Sequence, residues 1–384
     1  MTDKDLSIRE AVVTIKIIGV GGGGGSVLAR IARERPMGVE LIAINTDEKQ
    51  LAVMERSGVK TLQIGRNLTK GRGTGGVPSL GEQAAQEDAE HIKSVMLGAD
   101  LIFVTAALGG GAGTGAAPIV AKIAKDLGVL TIGVVTLPFS FEGQRKRRQA
   151  EAGLSGMQAH MDALLSIRND NLMKLPENRH MSLMDAFKAA DDILLQAIRC
   201  IAELILTTGV INVDFADVKS IFQQSISADA LLGIGKSTKS AVEAVRNAVE
   251  SPLIEKSLDG ARGLIINLSG DETLSLYDVN EATRYIYDNT DPEVNIILGT
   301  VIDPELKGTI RATIIATDFV DGSILKMPRL TSPTTKLQGR SSSLDTLGFM
   351  RGKNKNEVPV FRTQAASLTT FRKPQGEDGD KKKE

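Results

Sequence analysis

The sequence predicts an α/β fold built on a doubly wound parallel sheet, and three observations support this prediction. Short apolar segments at residues 15–20, 39–44, 101–104 and 129–135 alternate with stretches of helical periodicity, as in parallel sheets joined by crossover helices. These segments are continuously apolar, which is typical of strands covered on both faces. Glycine-rich turns follow the first and third segments, where doubly wound sheets bind their ligands.

The rest of the chain predicts a long helix, a second domain and a tail. Residues 181–206 carry apolar side chains on nearly all sides, so we expect a helix buried between layers. Helical stretches and strands then alternate in a second, smaller α/β domain, and from about residue 319 the composition is typical of a disordered linker. The predicted parts are an N-terminal tail (1–13), a nucleotide-binding domain (14–182), a central core helix (183–208), a C-terminal domain (209–318), a flexible linker (319–356) and a C-terminal tail (357–384).

Composition excludes several classes of function. The 384 residues include 46 Lys and Arg against 47 Asp and Glu, so the net charge of −1 does not favour nucleic acid as a partner. No apolar run approaches the roughly 18 residues of a membrane span, so we expect a cytoplasmic protein without direct membrane insertion. The three histidines and the single Cys200 show no metal-ligand spacing, so we expect no metal site formed by side chains and a buried, structural thiol.

The run of residues 109–115 is the strongest functional signal. It holds five glycines in seven positions between a predicted buried strand and a predicted helix. Such a turn exposes a row of backbone N–H groups at a helix N-terminus, which is an anion site. A flexible linker is the alternative, but linkers seldom lie between a strand and a helix.

Two further glycine-rich loops bear on the kind of ligand. Gly19, Gly21 and Gly24 form a Gly-x-Gly-x-x-Gly pattern after the first strand, and Asp47 follows the second strand, as in NAD-dependent oxidoreductases. Residues 71–76 form a third such loop. One pyrophosphate needs only one such loop, so three glycine-rich loops favour a nucleoside triphosphate as the ligand. An NAD-dependent oxidoreductase is the alternative.

Several motifs together resemble one known family. Residues 109–115, the triplet 141–143 and the segment 212–218 resemble the FtsZ family of bacterial, tubulin-like cell-division GTPases, and the resemblance extends over residues 15–317. It implies a tubulin-like fold, with a Rossmann-type GTPase domain and a smaller domain joined by the core helix. It also implies GTP or GDP with Mg²⁺ as ligands, a location at the division site, and head-to-tail filaments, since a heterologous contact does not close.

The resemblance also implies a set of site residues. Catalysis would fall to Asp214 and Asp217, supplied by the next subunit, with Asn212 orienting their loop. Guanine would be bound by Asn169 and Asp191, with Glu142 on the ribose. The remaining nucleotide contacts would come from Gly22, Gly23, Gly24, Gly25, Ser26, Gly110, Gly111, Ala112, Gly113, Thr114 and Lys146. From the residues alone, the two aspartates three positions apart could instead cap a helix, and Asp191 could be an ordinary early-helix carboxylate.

The sequence departs from the family pattern at several of these positions. Ala112 stands where a threonine is usual, Ser26 where an asparagine is usual and Lys146 where an arginine is usual, while Arg72 and Thr74 replace smaller or apolar residues. The hydroxyl missing at Ala112 removes one potential hydrogen bond, worth about 0.5 to 1.5 kcal/mol. The alternative function is therefore a slowly hydrolysing or non-hydrolysing GTP-binding paralogue that acts as a filament scaffold.

The C-terminal tail carries one further motif. Residues 358–362, Val-Pro-Val-Phe-Arg, resemble in part the family's C-terminal peptide, which docks on membrane-anchoring and regulatory division proteins. Arg362 stands where a leucine is usual, so an apolar fragment without a partner is the alternative.

Overall fold

The computed structural model describes residues 13–34, 38–175, 178, 180–206, 211, 213–225, 227–254 and 260–319. The strands are β1 Ile15–Val20, β2 Val39–Asn45, β3 Lys60–Gln63, β4 Leu101–Ala107, β5 Leu130–Leu137, β6 Ala163–Arg168, β7 Asp229–Ser237, β8 Ala261–Gly270, β9 Asn295–Ile302 and β10 Ile310–Phe319. The helices are α1 Gly21–Glu34, α2 Glu48–Arg56, α3 Arg66–Thr69, α4 Pro78–Glu87, α5 Ala89–Met96, α6 Ala112–Asp126, α7 Gln144–Gln158, α8 Asn169–Leu172, α9 Leu183–Leu206, α10 Phe215–Gln224, α11 Ala241–Val249 and α12 Leu276–Asp288.

The strands form one ten-stranded sheet in the order β3-β2-β1-β4-β5-β6-β7-β10-β8-β9. Neighbouring strands are parallel except that β10 is antiparallel to both β7 and β8. The predicted parallel α/β sheet is thus confirmed for the first half. Ile15 of β1 pairs with Val39 of β2 on one side and with Leu101 of β4 on the other. The strand order reverses between β1 and β4, which is the switch point where such sheets bind ligands beyond the carboxyl ends of the strands.

The central strands are buried on both faces, which explains their continuously apolar sequence. Alternate residues of β1 point to opposite sides of the sheet. Ile17 packs in the core layer that includes α1 and α9, whereas Ile18 packs in the layer that includes α4, α5 and α6. Both side chains are at most 1% exposed. Helices therefore cover both faces, as predicted for a doubly wound fold.

Helix α9 is buried only in part. From Leu194 to Leu204 it packs into the core, and burial raises the pKa of the Cys200 thiol, as expected for a structural cysteine. In its first turn Leu183 is 60% exposed and Met184 is 69% exposed. The prediction of a helix buried on all sides is therefore wrong for this first turn, because the N-terminal end of α9 lies at the protein surface.

The second half of the sheet has its own core. Helices α11 and α12 pack against β7, β8 and β10, around Ala244, Val245, Leu264, Ile266 and Ile314. Ser240 and Ser275 begin the two helices and accept hydrogen bonds from the amides of Glu243 and Asp278. No helix among the described residues is both long and apolar enough to cross a membrane. The predicted domain boundaries remain predictions.

Candidate nucleotide-binding site

A cleft of about 560 Å³ lies beyond the carboxyl ends of β1 and β4. It is lined by Gly22, Gly23, Ser26, Asn45, Thr46, Asp47, Gln50, Arg72, Gly73, Thr74, Gly75, Gly76, Ala107, Leu108, Gly109, Gly110, Gly111, Ala112, Gly113, Thr136, Pro138, Glu142, Lys146, Asn169, Phe187, Ala190 and Asp191. We call the part formed by Gly22, Gly23 and Ser26 together with residues 72–76 and 109–113 the glycine wall. We call the part formed by Asn169, Phe187 and Asp191 the carboxylate wall.

The first loop of the glycine wall is the N-terminus of α1, which follows β1 without a break. Gly21 has a φ of +73°, and Gly22 is exposed. Gly24 is buried beneath the loop, where a Cβ would lie 2.5 Å from the carbonyl oxygen of Thr105. Gly25 lies outside the cleft and lines a neighbouring pocket instead. Of the five predicted residues in this loop, the structure places Gly22, Gly23 and Ser26 in the cleft.

The second loop joins β4 to α6 and combines two uses of glycine. Gly110 is exposed, and a Cβ there would meet nothing within 4 Å. At Gly113 a Cβ would lie 2.9 Å from the Ala107 carbonyl oxygen, and at Gly115 it would lie 1.9 Å from that of Pro78. Part of the glycine run therefore serves close backbone packing, and the amides of Gly109 and Gly115 already donate within the loop, to Thr114 Oγ1 and to the Gly111 carbonyl oxygen.

Thr114 has a structural contact in this loop. It is buried, and its Oγ1 accepts a hydrogen bond from the Gly109 amide at 2.8 Å. It does not line the cleft, although the resemblance implies a phosphate contact. Gly110, Gly111, Ala112 and Gly113 do line it.

The third loop of the glycine wall is the glycine-rich loop 71–76, which contributes to the sequence prediction of a nucleoside triphosphate. Positive φ values at Gly73, Gly75 and Gly76 bend it back over the cleft, and the Gly73 amide donates to the Thr46 carbonyl oxygen. Arg72 and Thr74 line the cleft from this loop. The density of glycines was the available signal, because only glycine adopts such a series of conformations without strain.

Asp47 caps helix α2. Its Oδ1 accepts hydrogen bonds from the amides of Lys49 and Gln50 at 3.0 and 3.1 Å. Nearby, the Asn45 side chain donates to Gln50 Oε1 at 2.9 Å, and both residues line the cleft. No sequence pattern singles out Gln50, because it lies inside an ordinary amphipathic helix.

The carboxylate wall consists of the buried Asn169, the half-buried Asp191 and the exposed aromatic ring of Phe187. Asn169 is 5% exposed, and its Oδ1 has no hydrogen-bond partner among the described residues. Burial raises the pKa of Asp191 to about 6. The charge of the nearby Arg30 lowers this pKa, and the charge of Asp192 raises it further. An orphaned amide oxygen and a half-buried carboxylate in one cleft can accept or donate hydrogen bonds along the edge of a base.

Glu142 and Lys146 form an ion pair at the rim of the cleft. Glu142 Oε2 accepts from Lys146 Nζ at 2.9 Å, and Oε1 accepts from the Phe139 amide at 3.0 Å. The Lys146 side chain is half exposed, so its charge also faces the cleft opening. Together with the helix N-termini of the glycine wall, it favours an anionic ligand.

Comparisons with known proteins decide the family. Residues 14–177 match the GTPase domain of the tubulin/FtsZ family, and residues 227–320 match the C-terminal domain of the FtsZ family. An empty FtsZ dimer from M. jannaschii is 41% identical, with a TM-score of 0.76 and coverage of 80% of this chain and 89% of that chain. The chain belongs to the tubulin/FtsZ family.

Other members of the family are similar to the chain as well. A tryptophan-to-tyrosine mutant of M. jannaschii FtsZ is 41% identical, with a TM-score of 0.76 and coverage of 80% of this chain and 91% of that chain. A GTPγS-bound protofilament of CetZ2 from Haloferax volcanii has a TM-score of 0.66 at 24% identity, with coverage of 80% and 94%, and shares the fold. The family match implies a GTPase domain that binds GTP and GDP, so the oxidoreductase alternative is set aside.

The predicted catalytic carboxylates of this FtsZ-like chain do not line the cleft. Asp214 and Asp217 are exposed at the start of α10, and neither side chain has a hydrogen bond or ion pair within the part of the chain that the structure describes. Asp214 occupies the N-cap position, but its side chain makes no capping hydrogen bond. The helix-capping alternative is therefore wrong for these residues. Asn212 and the peptide at 358–362 lie outside the described residues.

Proposed function

We propose that the chain is a GTP-dependent, self-assembling cytoskeletal protein that forms head-to-tail protofilaments at the bacterial division site. The observation that carries this proposal is that the nucleotide cleft and the predicted catalytic carboxylates lie apart within one chain. The nucleotide cleft lies at the carboxyl ends of β1 and β4, whereas the exposed and unpartnered Asp214 and Asp217 lie at α10, outside that cleft. A second copy would bring these carboxylates to the cleft, and such a contact repeats along a filament.

The chemistry follows from the residues on each side of that contact. Amides of Gly22 and Gly110–Gly113 would bind the phosphates, because these residues line the cleft at the N-termini of α1 and α6. Asp214 and Asp217 of the partner subunit would orient a water molecule for in-line attack on the γ-phosphate, with Asn212 orienting their loop.

Magnesium is proposed as the accompanying ion. Among the described residues, no group of three or more His, Cys, Asp or Glu side chains could hold a metal on its own. Mg²⁺ commonly binds through substrate phosphates and one or two protein oxygens, which fits this cleft. When bound, the ion would neutralise charge on the phosphate oxygens.

A mixing experiment tests the shared site. Asp214→Ala should abolish GTP hydrolysis but keep GTP binding, and Gly110→Leu should block the cleft while leaving Asp214 intact. Each variant alone is inactive, whereas an equimolar mixture should recover about a quarter of wild-type activity, since a quarter of random head-to-tail contacts combine both intact halves. No recovery would reject the shared site, as would activity strictly linear in protein concentration.

The alternative function is a filament scaffold with slow or no hydrolysis. Ala112 favours it, because this residue lies at the N-terminus of α6 in the cleft and carries no hydroxyl. Sedimentation with GTP, together with measurement of released phosphate, separates the two functions. Normal pelleting with phosphate release near background would favour the scaffold.

The C-terminal tail is proposed to bind membrane-anchoring or regulatory division proteins through residues 358–362. A chain that ends at residue 356 should assemble with GTP as the full chain does. In cells, fluorescence microscopy should show that it fails to concentrate at the division site. A truncated chain that still localises normally would reject the docking role.

A further inference from the structure

Three exposed methionine side chains lie close together in the chain. Met173 is 58% exposed, Met181 is 40% exposed and Met184 is 69% exposed. Met96 and Met157, by contrast, are fully buried. Methionine is an apolar residue that usually fills gaps in a core, so three exposed ones in one short segment need a reason.

Hydrogen bonds bring the three methionines together where α8 meets α9. Asn178 Nδ2 donates to the carbonyl oxygen of Leu172, the residue before Met173, at 2.9 Å. The Met181 amide donates to the Asn178 carbonyl oxygen at 3.2 Å. Met184 follows in the first turn of α9, which contacts α8. The three side chains therefore belong to one region of the surface.

This region continues to the rim of the cleft. Phe187 lies one turn after Met184 and lines the cleft. Its ring packs edge-on against Phe139 with 5.5 Å between the ring centroids, and Phe139 stacks on the exposed Phe141 at 5.1 Å. Grouped exposed apolar side chains of this kind mark a contact with another molecule. We call the following exposed side chains the methionine surface: Phe141, Met173, Met181, Leu183, Met184 and Phe187.

In the proposed filament, the molecule that covers this surface is a second copy of the chain. The contact between copies closes over the cleft, and the methionine surface adjoins the cleft through Phe187. The methionines are then covered in the filament and open to solvent in the monomer. Their thioether groups suit an apolar contact, but the sulfur atoms are also what oxidants attack.

We propose that the methionine surface is a site of oxidative modification, at which hydrogen peroxide weakens assembly. The sulfur lone pair attacks one peroxide oxygen, and an S–O bond forms as the O–O bond breaks. The second oxygen leaves as hydroxide and takes up the proton, so the products are methionine sulfoxide and water. The sulfur is oxidised by two electrons, and the peroxide is reduced by two. A sulfoxide is polar and loses its hydration when a second copy covers it, so the contact weakens.

This inference rests on the proposed function, because it places the methionine surface in the contact between copies. The competing explanation is that the three methionines are exposed but lie outside any contact. Their oxidation would then have no effect on assembly.

Peptide mapping by mass spectrometry after a short exposure to hydrogen peroxide tests whether assembly covers the surface. Met173, Met181 and Met184 should be oxidised at least about fivefold faster in the GDP-bound chain than in filaments held by a slowly hydrolysed GTP analogue. The buried Met96 and Met157 should react slowly under both conditions and serve as controls. Equal rates at the three exposed methionines, with filaments present by sedimentation, would overturn the proposal.

A triple variant tests the consequence for assembly. Met173→Leu, Met181→Leu and Met184→Leu together keep apolar side chains of similar volume but cannot form sulfoxides. After peroxide treatment, the wild type should need about tenfold more protein for GTP-dependent pelleting, because its sulfoxides must be desolvated, and the triple variant should not change. A methionine sulfoxide reductase should restore the oxidised wild type. GTP affinity should stay within about twofold throughout, since the three methionines do not line the cleft.

The triple variant keeps Cys200 and every other methionine, so it separates this surface from the remaining oxidisable groups. Equal melting temperatures of wild type and variant check that folding is intact, and Met184→Leu alone repeats the test at the most exposed position. Unchanged assembly of the oxidised wild type, or an equal loss in the oxidised triple variant, would overturn the inference. A wild-type chain that does not pellet with GTP even before oxidation would instead reject the proposed function.

Discussion

The two walls of the cleft differ in what they offer a ligand. The glycine wall presents backbone N–H groups from the starts of α1 and α6, and its shape depends on close backbone contacts such as that of Gly21 with Gly113. The carboxylate wall presents side chains, with an orphaned Asn169 Oδ1 and an Asp191 whose pKa burial raises to about 6. Ligand binding at the glycine wall therefore depends on close steric fit, whereas binding at the carboxylate wall depends on the protonation state of Asp191.

This difference predicts different sensitivities to mutation. Every substitution except proline keeps the backbone N–H, so short of proline the glycine wall fails only when an added atom displaces the chain. Side chains can be replaced at nearly constant volume, so the carboxylate wall can change its ligand preference without losing its shape. The predictions below test each half of this contrast.

The largest effect is expected for Gly111→Ala. The added Cβ would lie 1.9 Å from Thr74 Oγ1 and 2.8 Å from the Val77 amide nitrogen, so the loop of residues 72–76 must move. Overpacking of this kind costs about 1 to 3 kcal/mol of stability. We expect a lower melting temperature by scanning calorimetry and a loss of GTP affinity of at least tenfold.

Gly110→Ala is the matched control for this substitution. A Cβ at Gly110 meets nothing within 4 Å, and the backbone there does not have a positive φ. Its melting temperature should equal that of the wild type. Equal destabilisation by both substitutions would show that steric crowding does not determine which substitutions the glycine wall tolerates.

Asp191→Asn should change the base preference. An ionised Asp191 can accept two hydrogen bonds from the N1–H and the 2-amino group of guanine, whereas an asparagine offers one donor and one acceptor. We expect GTP affinity to fall by about ten- to a hundredfold, since hydrogen bonds to charged groups are worth about 1.5 to 3 kcal/mol. Xanthosine triphosphate carries an oxygen in place of the 2-amino group and should bind the variant better than GTP. An unchanged preference would remove Asp191 from base recognition.

Binding through Asp191 should also depend on pH. Because burial raises the pKa of Asp191 to about 6, the carboxylate is ionised at pH 7 and becomes protonated as the pH falls through 6. GTP affinity should therefore fall below pH 6, by up to about tenfold per pH unit. The Asp191→Asn profile provides the baseline, because the nucleotide phosphates titrate equally in both proteins.

Two neighbouring substitutions should move this pH profile in opposite directions. Arg30 pairs with Asp192, and the charge of Arg30 lowers the pKa of Asp191 while that of Asp192 raises it. Arg30→Gln should shift the loss of GTP binding to higher pH, and Asp192→Asn should shift it to lower pH. If the pair serves only to hold α1 against α9, both substitutions remove the same contact and the two shifts will have the same sign.

The sequence predicted the glycine wall better than the carboxylate wall for a physical reason. Glycine runs such as 109–115 are rare outside sites of close backbone approach, so composition alone located the loops. It could not separate Gly110, which faces open space, from Gly113, which packs on Ala107, because that distinction depends on contacts between distant segments. Asn169 and Asp191 are ordinary in composition, and only the family resemblance singled them out. The exposed start of α9 was missed because periodicity does not show where a helix leaves the core.

The smallest effect is expected for Lys146→Gln. The side chain is half exposed, and its ion pair with Glu142 is accessible to salt, so the pair itself contributes at most about 1 kcal/mol. We expect GTP affinity to fall about two- to fivefold at low salt and the difference to shrink at high ionic strength, because screening weakens exposed charges. The Glu142 Oε1 contact with the Phe139 amide does not involve Lys146 and should survive. A tenfold loss that salt does not change would instead show that Lys146 binds the nucleotide in a desolvated contact and belongs with the more sensitive residues of the cleft.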